Sequence, residues 1–147
     1  MKWSKLIGVV LLLLSSTSFA FGDFVVGGWY LPNGADQATL GITPNLTKCL
    51  ATLEGSSVAG RRECLGAENN RQNVRMNAAY KNALARLNLP RQPILRESQR
   101  AWLKFVGTQC ELEAGPPTGG TDWADELAIC DLHWRAYRSK YLESLGE

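Results

Sequence analysis

Few residues in this chain have side chains that could do chemistry. The candidates are four cysteines (Cys49, Cys64, Cys110 and Cys130), one histidine (His133), and the carboxylates Asp122, Asp125 and Glu126. A Ser-His-Asp or Cys-His arrangement would need that single histidine, which directly precedes Trp134 in a helical stretch. Cysteines committed to bridges leave no thiolate nucleophile. Their spacing matches no CxxC redox or zinc pattern, and one histidine adds little to a ligand set, so no metal is expected. Asp122, Asp125 and Glu126 could form a carboxylate pair for glycoside cleavage. Their place at a helix start explains them as well, through capping and the helix dipole. There is no P-loop and no GxGxxG, and the Gly115-to-Gly120 loop lacks a lysine to hold phosphate. The residues point to binding rather than catalysis, with no cofactor.

Two charged stretches could serve binding. Arg96, Arg100 and Lys104, four apart, form a row on one side of a helix. They could meet an acidic cleft or an anionic lipid, or simply face water. Glu111, Glu113, Asp122, Asp125, Glu126 and Asp131 could steer a basic partner, since complementary fields mainly raise on-rates. The charge is segregated: residues 61–104 hold ten Arg and Lys against three Glu, and residues 105–147 hold three against eight Asp and Glu. A nucleic-acid binder would carry a domain-wide basic excess. Without residues 1–20 the chain has 14 basic and 14 acidic residues, so nucleic acid is not an expected partner.

Residues 1–20 read as a signal peptide. Lys2 and Lys5 precede an apolar run from Leu6 to Leu14, a serine-rich stretch follows, and Ser18 and Ala20 are small residues suited to a cut after Ala20. A cut after Gly22 is the alternative. The apolar run is shorter than the roughly 20 residues a membrane span needs, so the mature chain is expected to be exported to the periplasm with no integral membrane segment. In that compartment four cysteines read as two disulfides. Three pairings exist. The sequence-local one, Cys49 with Cys64 and Cys110 with Cys130, is favoured because each closes a loop containing turn residues.

These residues must be held by helices. The 147 residues are enough for one domain. Residues 21–47 are rich in Gly, Pro, Asn and Thr, show no helical period, and read as a loosely ordered arm or a short strand packed on the body. Ser56-Ser57 can cap a helix from about 58 to 87, with Leu65, Met76, Tyr80, Ala83 and Leu87 at helical spacing. Asn88-Leu89-Pro90 ends it. Pro93 suits the first turn of a second helix, whose stripe is Leu95, Gln99, Trp102, Val106 and Cys110. After the Gly115-to-Gly120 loop, Thr121 or Asp122 caps a third. There Trp123, Leu127, Cys130, Trp134, Tyr137, Tyr141 and Leu145 form an apolar seam that reads as core. The expected fold is all-α: a small antiparallel helical bundle or hairpin clamped by two disulfides, over residues 48–147.

A resemblance adds to this reading. Lys48-Cys49, Glu63-Cys64, Glu68, Met76-Asn77, Tyr80 and Leu84, followed by Leu95 to Leu103 (LRESQRAWL), Cys110, Gly119-Gly120-Thr121, Cys130, Arg138 and Leu142, resemble the lysozyme inhibitor LprI-like family. The family usually has Arg-Asp shortly after the tryptophan, where this chain has Val106-Gly107, and Thr where Arg135 stands. The resemblance implies an exported helical protein that binds a lysozyme-type glycoside hydrolase and blocks it sterically. The target would be a host lysozyme or a competitor's toxin, the latter making it an immunity protein. The surfaces expected to do so are the 115–121 loop, with Thr118, Gly119 and Gly120, and the Arg96, Arg100 and Lys104 row. The motif residues Glu68, Asn77, Tyr80, Gln99, Trp102 and Arg138 are expected to be structural, with Glu68 and Arg138 paired to each other or to nearby backbone. The alternatives are a periplasmic adaptor with no lytic-enzyme target and a hydrolase with converging carboxylates.

Overall fold

A computed structural model of the chain describes residues 25–26, 29–30, 37–117 and 120–145. The expected signal peptide, part of the arm, Thr118 and Gly119 lie outside the described residues. The fold is all-α. Beside the helices, the described residues form one two-residue ladder, β1 (Val25–Val26) antiparallel to β2 (Trp29–Tyr30). Three short helices, α1 (Gln37–Leu40), α2 (Pro44–Leu50) and α3 (Leu53–Ser56), precede three long ones, α4 (Val58–Arg86), α5 (Arg91–Ala114) and α6 (Thr121–Ser144).

Local signals set the boundaries. Ser57 caps α4, its hydroxyl accepting from the Gly60 amide at 3.0 Å. Leu87 leaves the helix in an extended conformation three residues before Pro90, and Pro93 falls in the first turn of α5. The start of α6 differs from expectation. Gly120 occupies the cap position in an extended conformation and, as a glycine, has no side chain to cap the helix. Thr121 is therefore already helical, and Asp122 sits in the first turn, where a negative charge favours the helix dipole.

The long helices run up, down and up. The Arg61–Asp125 ion pair joins the starts of α4 and α6, and Arg86 donates to the carbonyls of Leu142, Glu143 and Leu145 at their ends. The two are therefore parallel, with α5 antiparallel to both. Helix α6 packs on α4 along its length and on α5 along a narrower strip.

Three apolar clusters follow. Leu40, Ile42 and Leu46 join Leu65 of α4 and Ile129, Leu132 and Ala136 of α6. Met76, Ala79, Ala83 and Leu87 meet Leu95 and Leu142. Val106 and Cys110 meet Cys130. The disulfides are Cys49–Cys64 and Cys110–Cys130, as favoured. The first ties α2 to α4 and the second ties α5 to α6.

Two readings are corrected here. Residues 37–47 are not a loose arm: α1 and the start of α2 lie there, and Leu40, Ile42 and Leu46 are buried. Their segments are too short to show a helical period, so the pattern was silent. The seam on α6 is only partly core, since Tyr137 and Tyr141 are 55% and 47% exposed. The arc of α6 that packs most closely carries Asp125, Leu132, Ala136, Ser139 and Leu142, all buried. Small residues at 136 and 139 suit close approach of neighbouring helices. Helix α5 covers only part of the seam, because its own buried stripe is one residue wide: Leu95, Gln99, Val106 and Cys110.

Candidate partner-binding groove

Helices α4 and α5 meet at their hairpin and then part. On α4, Asn73, Asn77 and Tyr80 stand at i, i+4 and i+7. On α5, Arg96, Arg100 and Leu103 repeat that spacing. Residues at these intervals share one helix face, and neither stripe is apolar enough to seal against the other. Burying unpaired amides and guanidiniums would cost more than the contact returns. The gap stays open as a groove of about 370 Å³, floored by the buried Met76 and Gln99 and lined also by Arg135 of α6.

The rim is cationic. Arg100 is bonded to Glu97 one turn away, and that pairing raises its pKa further above the usual arginine value. Arg135 is held by Asp131 at 2.6 Å and by the Asn73 side-chain oxygen at 2.9 Å. Arg96 is exposed and has no ion pair among the described residues. Lys104, also exposed, continues the row one turn beyond Arg100 and is not among the groove's lining residues.

The floor is positioned from beneath. Gln99 donates to the Met76 sulfur at 3.8 Å and accepts from Arg138 Nε at 2.9 Å. Arg138 also donates to the Ser98 hydroxyl at 3.2 Å. Its guanidinium lies 5.6 Å from the Trp102 ring centroid and 5.2 Å from that of Tyr141, within cation–π range. Burial lowers the Arg138 pKa, yet an arginine keeps its charge. This chain of contacts locks α5 to α6 under the groove.

Glu68 is fully buried one side away. It accepts from the Thr43 amide at 2.9 Å, the Thr43 hydroxyl at 2.6 Å, Gln72 at 2.9 Å and Arg71 at 2.7 Å. Burial pushes its pKa up, but the bonds from Thr43, Gln72 and Arg71 together outweigh this and hold the carboxyl below its ordinary range. Glu68 and Arg138 are thus not partners of each other: each has its own polar set, on opposite sides of the α4–α6 pair. For Glu68 the expected backbone partner is present, in the Thr43 amide.

A family model described as lysozyme inhibitor LprI matches residues 49–142, more than half of the chain. The chain belongs to that family. No curated protein and no solved structure matches it significantly. The LprI span includes both disulfides and every residue lining the groove. Asn77, Tyr80 and Gln99, singled out as motif positions of the LprI-like pattern, converge on the groove together with Arg96 and Arg100. Glu68, Trp102 and Arg138 lie outside its lining. Where the chain departs from the LprI pattern, Val106 is buried against Cys110 and Cys130 and Arg135 lines the groove.

The other candidates are dispersed. Gly120 is exposed at the α6 cap, and the adjoining loop is fastened by the Trp123 indole donating to the Gly115 carbonyl at 3.0 Å. Asp125 is fully buried against Arg61, so it does not face an open cleft with Asp122 and Glu126. His133 stacks edge-on against Trp134. Among the described residues no group of His, Cys, Asp and Glu could hold a metal, and no helix is long and apolar enough to cross a membrane. Sequence reasoning missed Asn73 and Arg135. Asn73 was legible in hindsight from its i, i+4, i+7 relation to Asn77 and Tyr80, but Arg135 could be placed only by knowing how α6 packs.

Proposed function

We propose that this chain is an exported inhibitor that binds a lysozyme-type, peptidoglycan-cleaving glycosidase and blocks it by occlusion. Its cationic α5 edge, carrying Arg96, Arg100 and Lys104, is the surface that meets the enzyme. The observation that carries this reading is that exposed edge on a helix locked in place by the Cys110–Cys130 bridge and the Gln99–Arg138 contact. A lysozyme cleft is lined by two carboxylates, and arginine pairs with carboxylate directionally once water is excluded. A rigid edge loses little conformational entropy on docking. The biological setting, host lysozyme or a rival's toxin, follows from which enzyme is bound.

The test is a titration of the purified, oxidised mature protein against several lysozyme classes, reading cell-wall clearing and binding in parallel. Tight binding with loss of clearing is the expected result for at least one class. Failure to bind any class overturns the reading.

A second reading has one observation in its favour. Ile94, Phe105 and Leu112 of α5 are 67%, 48% and 75% exposed, beside the half-exposed Tyr137 and Tyr141 of α6. An adaptor with no lytic target would bind an envelope protein on that face. In the same titration it would leave clearing unchanged.

A further inference from the structure

We infer that the α4–α5 groove is the seat for an acidic, extended peptide segment carrying one apolar side chain, supplied by the protein partner. The inference rests on the inhibitor reading only for the identity of that partner.

The groove's chemistry selects this occupant. Its floor carries the buried Met76 beside Gln99, and the aliphatic Leu103 on the α5 wall is 48% exposed. A methionine thioether adapts to varied shapes, so one apolar side chain can anchor there. Asn77 is exposed and makes no side-chain hydrogen bond among the described residues. Its amide can both donate to and accept from a passing peptide backbone. The charge on the rim fixes the sign. Arg96, Arg100 and Arg135 face the groove, and the acids beside them, Glu97 and Asp131, each engage one arginine. Arg96 is left to take a carboxylate from outside, in the bidentate geometry a guanidinium favours. Arg100 is shared: a ligand carboxylate must compete with Glu97 for it. A basic or neutral segment would leave Arg96 without compensation.

The competition at Arg100 makes the proposal testable in both directions. The probe is an end-blocked Glu-Glu-Leu-Glu-Glu peptide added to the oxidised protein, with side-chain amide NMR signals of Asn73, Asn77 and Gln99 as the readout. Localised shifts at these three, weakening as salt rises, are expected. A Lys-Lys-Leu-Lys-Lys peptide should give none. Replacing Arg96 and Arg100 together by Gln should weaken binding about fivefold, given what exposed ion pairs contribute. Both side chains are exposed, so the fold should survive. Glu97→Gln should tighten binding about twofold by releasing Arg100. Shifts scattered over the whole surface, or unchanged affinity in the double variant, overturn the groove as the seat. The enzyme assay separates the two proposals. A protein that binds the peptide at the groove but inhibits no lysozyme overturns the inhibitor reading and upholds the groove. One that inhibits a lysozyme with equal potency in the double variant upholds inhibition but overturns both the groove and the Arg96–Arg100 edge as the surface that meets the enzyme.

Discussion

Thr43 gives both its amide and its hydroxyl to one carboxylate, that of Glu68, at 2.9 and 2.6 Å. A residue just ahead of α2 is thereby bolted to a fully buried carboxylate in the middle of α4. Glu68→Gln keeps the shape but replaces a charged acceptor and turns one acceptor atom into a donor facing donors. Hydrogen bonds to charged groups contribute about 1.5–3 kcal/mol each. The substitution is expected to cost about 3 kcal/mol, and Thr43→Val about 2 kcal/mol, read from urea unfolding midpoints.

The same carboxylate sets an acid limit. Its folded pKa lies below the ordinary 4.5, so the unfolded chain takes up the proton first as pH falls. The stability it contributes is fully present above the unfolded value and is lost as pH drops through the folded one. Thermal midpoints of the wild type should therefore fall below about pH 4.5, and Glu68→Gln should show a shallower fall over that window. Parallel curves would assign the acid limit to other groups.

Asp125 is fully buried and Arg61, its partner at 2.6 Å, has 18% of its side chain exposed. Arg62 approaches the second carboxylate oxygen only at 3.7 Å, and that oxygen accepts no hydrogen bond. Removing one member of a buried pair strands the other. Asp125→Asn is expected to cost about 3 kcal/mol. The double change Arg61→Met with Asp125→Leu should recover most of that loss, because two apolar side chains leave no charge without a partner. Calorimetric melts of the two variants beside the wild type check this.

The disulfides close loops of 15 and 20 residues. On the chain-entropy account each contributes about 3 kcal/mol. Reduction, or Cys→Ala at both members of either pair, should lower the melting temperature by well over 10 °C for a body of this size, at about 4–8 °C per kcal/mol. An equal melting temperature with and without reductant would refute this.

The long helices were legible because their signals are local. Ser57, Pro90 and Pro93 mark helix boundaries in the chain itself, and the α5 stripe of Leu95, Gln99, Val106 and Cys110 repeats at helical spacing. What escaped was whatever depends on a distant partner. Leu40, Ile42 and Leu46 sit in turns too short for periodicity, and only the surface offered by α4 and α6 makes them core. Tyr137 and Tyr141 obey the seam's spacing, yet α5 is too narrow to cover them. Asp125 had an adequate local explanation in helix capping, which hid its partner 64 residues earlier. The groove was half visible: its α5 wall was the basic row, but the matching α4 wall is made of amides that look like an ordinary polar face.

The two bridges join consecutive cysteines, first to second and third to fourth, so the covalent loops neither overlap nor nest. A chain threaded through a membrane from its N-terminus presents Cys49 and Cys64 before Cys110 emerges. An oxidase that joins thiols in order of arrival would then make the native linkages without later shuffling, and maturation should proceed in cells lacking a disulfide isomerase.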